Sequence, residues 1–171
     1  MWLGLTPLGV FHTAVSLIAL VSGFWALARY KEISLANRLG QLYLLSTLVV
    51  AASGLGIFQH GGFGPPHALS ILTLLAIAAG AATEKTLLLG RWSRYFQAIC
   101  YSSTILFHLI PGFTESLTRL PLGKPLVPSA DAPIFQPLYG TLFFIFLIGL
   151  TLQLRWLQRS AVPPVATVAA R

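Results

Sequence analysis

Five polar side chains, Arg94, Gln97, Tyr101, Thr104 and His108, stand three or four residues apart in the stretch RYFQAICYSSTILFHLIPGFTE. That spacing puts them on one face of an α-helix whose other faces are mostly apolar. His108 has the widest chemistry of the five, because a neutral imidazole can ligate haem iron, zinc or copper. Three further histidines, His12, His60 and His67, occur in the chain. Cys100 is the only cysteine, which excludes an intramolecular disulfide and a thiolate metal cluster. HExxH and GxSxG motifs are absent from the sequence, so a zinc-dependent membrane hydrolase would lack its usual general base. The sequence leans away from an enzyme, and no residue is assigned a catalytic role.

The elements that must carry these residues follow from composition. The chain has 171 residues, 56% hydrophobic and only 9% charged, whereas soluble domains are about a quarter charged. It reads as an all-α polytopic membrane protein. The net charge of +7 is spread in short groups beside hydrophobic runs rather than gathered in a patch, which argues against nucleic acid. Crossing a bilayer takes roughly 20 helical residues, and five runs are expected: Leu8–Ala28, Leu39–Gln59, Ala68–Leu88, Tyr95–Phe113 and Gln136–Leu154. They form one transmembrane domain over residues 1–158, with residues 159–171 as a disordered cytoplasmic tail.

Arg29, Lys31, Arg38, Lys85, Arg91, Arg94, Arg155, Arg159 and Arg171 fall on one side of this topology, and Arg119 and Lys124 on the other. The excess predicts N-terminus out and C-terminus in, and Trp25, Trp92 and Trp156 at the inner helix ends agree. The segment HGGFGPPH makes a sharp outer turn between the second and third runs. Residues 112–135 make a long outer loop with Pro121, Pro125, Pro128 and Pro133. The fifth run is apolar nearly all round, which suits a helix outside a four-helix core, facing lipid, a membrane protein partner or a second copy.

On this topology all four histidines lie on the outer side. His12 and His108 sit about 6 to 9 Å below the outer boundary, while His60 and His67 stand at the rim. An imidazole within the hydrocarbon is costly unless partnered, so His12 and His108 are the candidate cofactor ligands. The four histidines together are a candidate metal set, with Tyr101, Thr104, Ser16, Ser53 and Glu115 as supporting polar groups. The plainer alternative is that rim histidines cap helices and that each deep one bonds a facing Ser or Thr. Glu115 lies four residues before Arg119, a spacing that favours an ordinary ion pair over metal ligation.

The motifs FHTAVSLIALVSG, RLGQLYLLSTLVVAASG and FGPPHALSILTL resemble a family of uncharacterised bacterial membrane proteins with a domain of unknown function. The resemblance covers about residues 10 to 120. Where that family often has a histidine before the basic RLG entry, this chain has Ala36 and Asn37, so a ligand at that position is lost. The resemblance implies a multi-helix fold and a bacterial cytoplasmic membrane. The functional expectation is a small membrane protein that binds haem b or a transition metal through His12 and His108, for electron transfer with a quinol or a partner protein. The alternative is a non-catalytic subunit or assembly partner with structural histidines.

Overall fold

The computed structural model describes residues 6–58 and 62–160. His60 and the tail beyond residue 160, both named above, lie outside the described residues. Five α-helices run in order among the described residues: α1 (Pro7–Tyr30), α2 (Arg38–Gly54), α3 (Pro65–Thr86), α4 (Ser93–Arg119) and α5 (Phe135–Ser160). A short 3-10 turn, Gly90–Trp92, leads into α4.

Local sequence explains where these helices begin and end. Thr6 Oγ1 accepts from the Gly9 N–H at 3.1 Å, and Pro7 occupies the first helical position of α1, where its missing N–H costs nothing. Lys31, in the left-handed region at φ 62°, closes α1 by donating its N–H to the Leu27 carbonyl, the usual geometry of a helix C-terminus. Asn37 Oδ1 caps α2 by accepting from Gly40 N at 2.7 Å. Three boundaries differ from expectation by five residues or more. The second helix ends at Gly54 rather than Gln59. The fourth helix continues through Pro111 to Arg119, so the outer loop is shorter than residues 112–135. Pro111 lacks the N–H that would bond the Phe107 carbonyl, and α4 runs on through it. The fifth helix reaches Ser160, which takes Arg159 and Ser160 out of the expected tail.

Three helices, α1, α3 and α5, are long and apolar enough to cross a membrane, which supports a membrane protein in contact with lipid. The expected five spanning runs thus become three by this measure. With 17 residues, α2 is shorter than the roughly 20 a bilayer needs. The 27-residue α4 is long enough, but it carries a buried polar stripe of Gln97, Tyr101, Thr104 and His108.

Successive helices pack as neighbours from α1 to α5, and α1 touches α4 only slightly. Ala19, Ala26, Ile33, Tyr43 and Tyr101 are fully buried in the core. Gly23 permits that packing, since a Cβ there would come within 2.6 Å of the Tyr43 ring. By contrast α5 packs on α4 and leaves Phe144, Ile145 and Ile148 exposed.

A polar clasp fixes the basic end of the bundle. Glu84 on α3 accepts from Ser34 Oγ at 2.5 Å, Leu35 N at 2.9 Å and Tyr101 OH at 3.0 Å. Arg94 donates two bonds to the Glu32 carboxylate, at 2.8 and 2.9 Å. Gln97 Nε2 and Gln153 Nε2 donate to the Ile33 and Lys31 carbonyls, each at 3.0 Å. The segment joining α1 to α2 is therefore held by α3, α4 and α5 together. Charge-assisted and buried bonds of this kind fix a loop that would otherwise fray.

Candidate functional site

The slight contact between α1 and α4 leaves a gap at the opposite end, and this gap is a cavity of about 280 Å³. His12 on α1 and His108 on α4 both line it, with α2 and α3 completing the wall. The volume is just below the range of about 300–1,000 Å³ common for small-molecule sites. Apolar side chains such as Leu17, Leu20, Val50 and Phe107 surround the imidazoles, and Glu115 and Arg119 also line the cavity.

Each imidazole is tied to a hydroxyl on α2. His12 Nδ1 lies 3.0 Å from Ser53 Oγ, and His108 Nε2 lies 3.2 Å from Thr47 Oγ1. Ser53 Oγ also lies 3.0 Å from the Val50 carbonyl. With its proton donated to that carbonyl, Ser53 Oγ accepts from His12, the arrangement in which a neutral His12 ring carries its proton on Nδ1 and leaves Nε2 with its lone pair. In the next layer Thr104 Oγ1 lies 2.7 Å from the Tyr101 carbonyl and shares a 2.5 Å hydroxyl–hydroxyl hydrogen bond with Tyr43. The Tyr43 ring meets His108 edge-on, with centroids 6.3 Å apart. Tyr43 and Thr47 on α2 thus buttress His108 from behind.

The remaining expected residues divide clearly. Ser53 supports His12 directly, whereas Ser16 lines the cavity but donates its proton to the His12 carbonyl in its own helix. Thr104 acts through Tyr43. Tyr101 does not support the histidines: its hydroxyl faces the other way, to Glu84. The three- and four-residue spacing shows a shared face but not which end of the bundle each side chain serves. Glu115 forms the ion pair with Arg119 that its spacing favours. His67 does not join His12 and His108 in the cavity wall. Its Nδ1 accepts from Gly64 N at 3.2 Å, and its ring packs against Phe58 and Phe63, which is the capping role open to a rim histidine. Among the described residues, no three His, Cys, Asp or Glu side chains come together as a metal-binding group. The four-histidine metal set therefore does not assemble among them, and His60 lies outside them.

Sequence reasoning passed over Thr47, Tyr43 and Glu84. Thr47 and Tyr43 are four apart on α2, a helical-face signal that was available. Glu84 stands at the end of the third run, where nothing local reports that Ser34, Leu35 and Tyr101 converge on it.

Comparison with protein families, curated proteins and solved structures gives no match.

Proposed function

We propose that this chain is an integral membrane protein that binds a small hydroxylated ring, of the quinol class, in the cavity between His12 and His108. The observation that carries the reading is that His12 and His108 line one mostly apolar cavity, each bonded to an α2 hydroxyl; with the Ser53 proton on the Val50 carbonyl, His12 Nε2 is an acceptor. A quinol hydroxyl donates to such a nitrogen, and its ring suits the surrounding Leu17, Leu20 and Phe107 side chains. In this reading the histidine end faces outward and the basic end faces the cytoplasm of a bacterial cytoplasmic membrane, because Arg29, Lys31, Arg38, Lys85, Arg91, Arg155 and Arg159 cluster at the latter. The first four helices form the core and α5 stands outside it. The site serves electron transfer with a partner protein rather than catalysis by this chain alone.

Calorimetric titration of the purified protein with a short-chain quinol tests the proposal. Saturable binding that is lost in His12→Gln is expected. Equal binding by His12→Gln and the parent protein would refute it.

The second reading is a metal centre, haem b included, and the same His12 nitrogen favours it. An Nδ1–H bonded to a hydroxyl behind the ring is the arrangement that orients a metal-ligating imidazole. For a haem held by both rings, His108 has to ligate through Nδ1 or leave Thr47. A reduced-minus-oxidised absorption spectrum with elemental analysis decides this: a haem α-band or a stoichiometric metal ion would replace quinol with the metal centre.

A further inference from the structure

A second, larger hollow of about 620 Å³ runs between α1, α4 and α5. Its walls are apolar over most of their length, with Phe24 and Leu27 on α1, Ile105 and Leu109 on α4, and Ile145 and Phe146 on α5. The lining changes character at the basic end, where Lys31, Arg155 and Arg159 stand beside Trp156.

We propose that this groove holds one anionic phospholipid of the leaflet at the basic end, with an acyl chain between α1 and α5 and its phosphate against Lys31, Arg155 and Arg159. The charge balance points to an anionic occupant. The chain has only four acidic residues. Glu32 pairs with Arg94, Glu84 takes Ser34, Leu35 and Tyr101, Glu115 pairs with Arg119, and Asp131 lies in the loop at the opposite end. Among the described residues none of the three groove cations meets a carboxylate. The polar floor is satisfied without a ligand, since Ser102 donates to Gln153 Oε1 at 2.8 Å while Gln153 Nε2 donates to the Lys31 carbonyl. What remains is a greasy slot under three cations, beside an indole of the kind that favours the headgroup level. A second copy lying parallel in the same membrane would bring its own Arg155 and Arg159 to this level, so like charges oppose that occupant. The proposal is independent of what fills the histidine cavity.

Native mass spectrometry of the delipidated full-length chain, titrated with dioleoyl phosphatidylglycerol and separately with dioleoyl phosphatidylcholine, tests it. A basic residue near an anionic surface is worth about fivefold in binding, so the Arg155→Gln/Arg159→Gln double variant is expected to lose about 25-fold of its phosphatidylglycerol affinity. Its phosphatidylcholine affinity should change little. Gly149 lines the groove and a Cβ there meets nothing within 4 Å, so Gly149→Leu places its side chain in the slot and should weaken both lipids while circular dichroism stays helical. Unchanged phosphatidylglycerol binding in either variant would overturn the proposal, as would complete displacement of the lipid by millimolar inorganic phosphate.

Discussion

Removing the Glu84 carboxylate should loosen the basic end of the bundle by an amount the structure allows to be worked out. Glu84 accepts three hydrogen bonds, from Ser34 Oγ, Leu35 N and Tyr101 OH. In Glu84→Ala the Tyr101 hydroxyl, on a fully buried side chain, loses its acceptor, and so does the Leu35 N–H. An orphaned buried donor costs about 1–3 kcal/mol, but interhelical bonds measured within membranes average nearer 0.6 kcal/mol, with a maximum of about 1.7. Two orphaned donors at the lower scale and one lost Ser34 bond give roughly 2–4 kcal/mol. For a chain of this length that corresponds to a fall in melting temperature of roughly 4–16 °C. Tyr101→Phe removes one bond and leaves the other two, so it should cost about 0.5–2 kcal/mol. Thermal unfolding in detergent micelles, followed by intrinsic tryptophan fluorescence, reads both variants. If Glu84→Ala melts within a degree of the parent, or Tyr101→Phe costs as much as Glu84→Ala, the clasp does not hold the α1–α2 segment as described.

Three further outcomes follow from the same geometry. Ser53→Ala removes the hydroxyl bonded to His12 Nδ1, and quinol affinity in the calorimeter should fall about 2- to 10-fold, the worth of one neutral hydrogen bond. At Gly54 a Cβ would lie 2.6 Å from Ser70 Oγ and 3.4 Å from His12 Cε1, so Gly54→Val should narrow the cavity and abolish quinol binding while circular dichroism stays helical. Gly23→Val drives a side chain into the Tyr43 ring, and its overpacking should destabilise the bundle by about 1–3 kcal/mol in the micelle assay.

The sequence carried the helical class and the approximate position of every helix, because long apolar runs and turn residues are local signals. The end of α4 shows where local signals stop. The fourth run is expected to close at Phe113, two residues past Pro111, yet the helix goes on to Arg119. Equal depth places His12 and His108 at one end of the bundle, where both line the same cavity. Thr47 and Tyr43 escaped because hydroxyl groups in a membrane-type helix bond their own backbone as often as a neighbour, as Ser22, Ser46 and Thr73 do here. The opposite destinations of Tyr101 and His108, seven residues apart on one helix face, depend on Glu84 and α2, which no periodicity in α4 can report.

Photo-crosslinking with an azido-substituted short-chain quinone, followed by peptide mapping, tests the central claim most directly. Label is expected in the α1 segment around His12 and the α4 segment around His108, protected by excess quinol and lost in His12→Gln. Label confined to α5, or spread evenly and unprotected over the exposed apolar helix faces, would contradict a binding site between the two histidines.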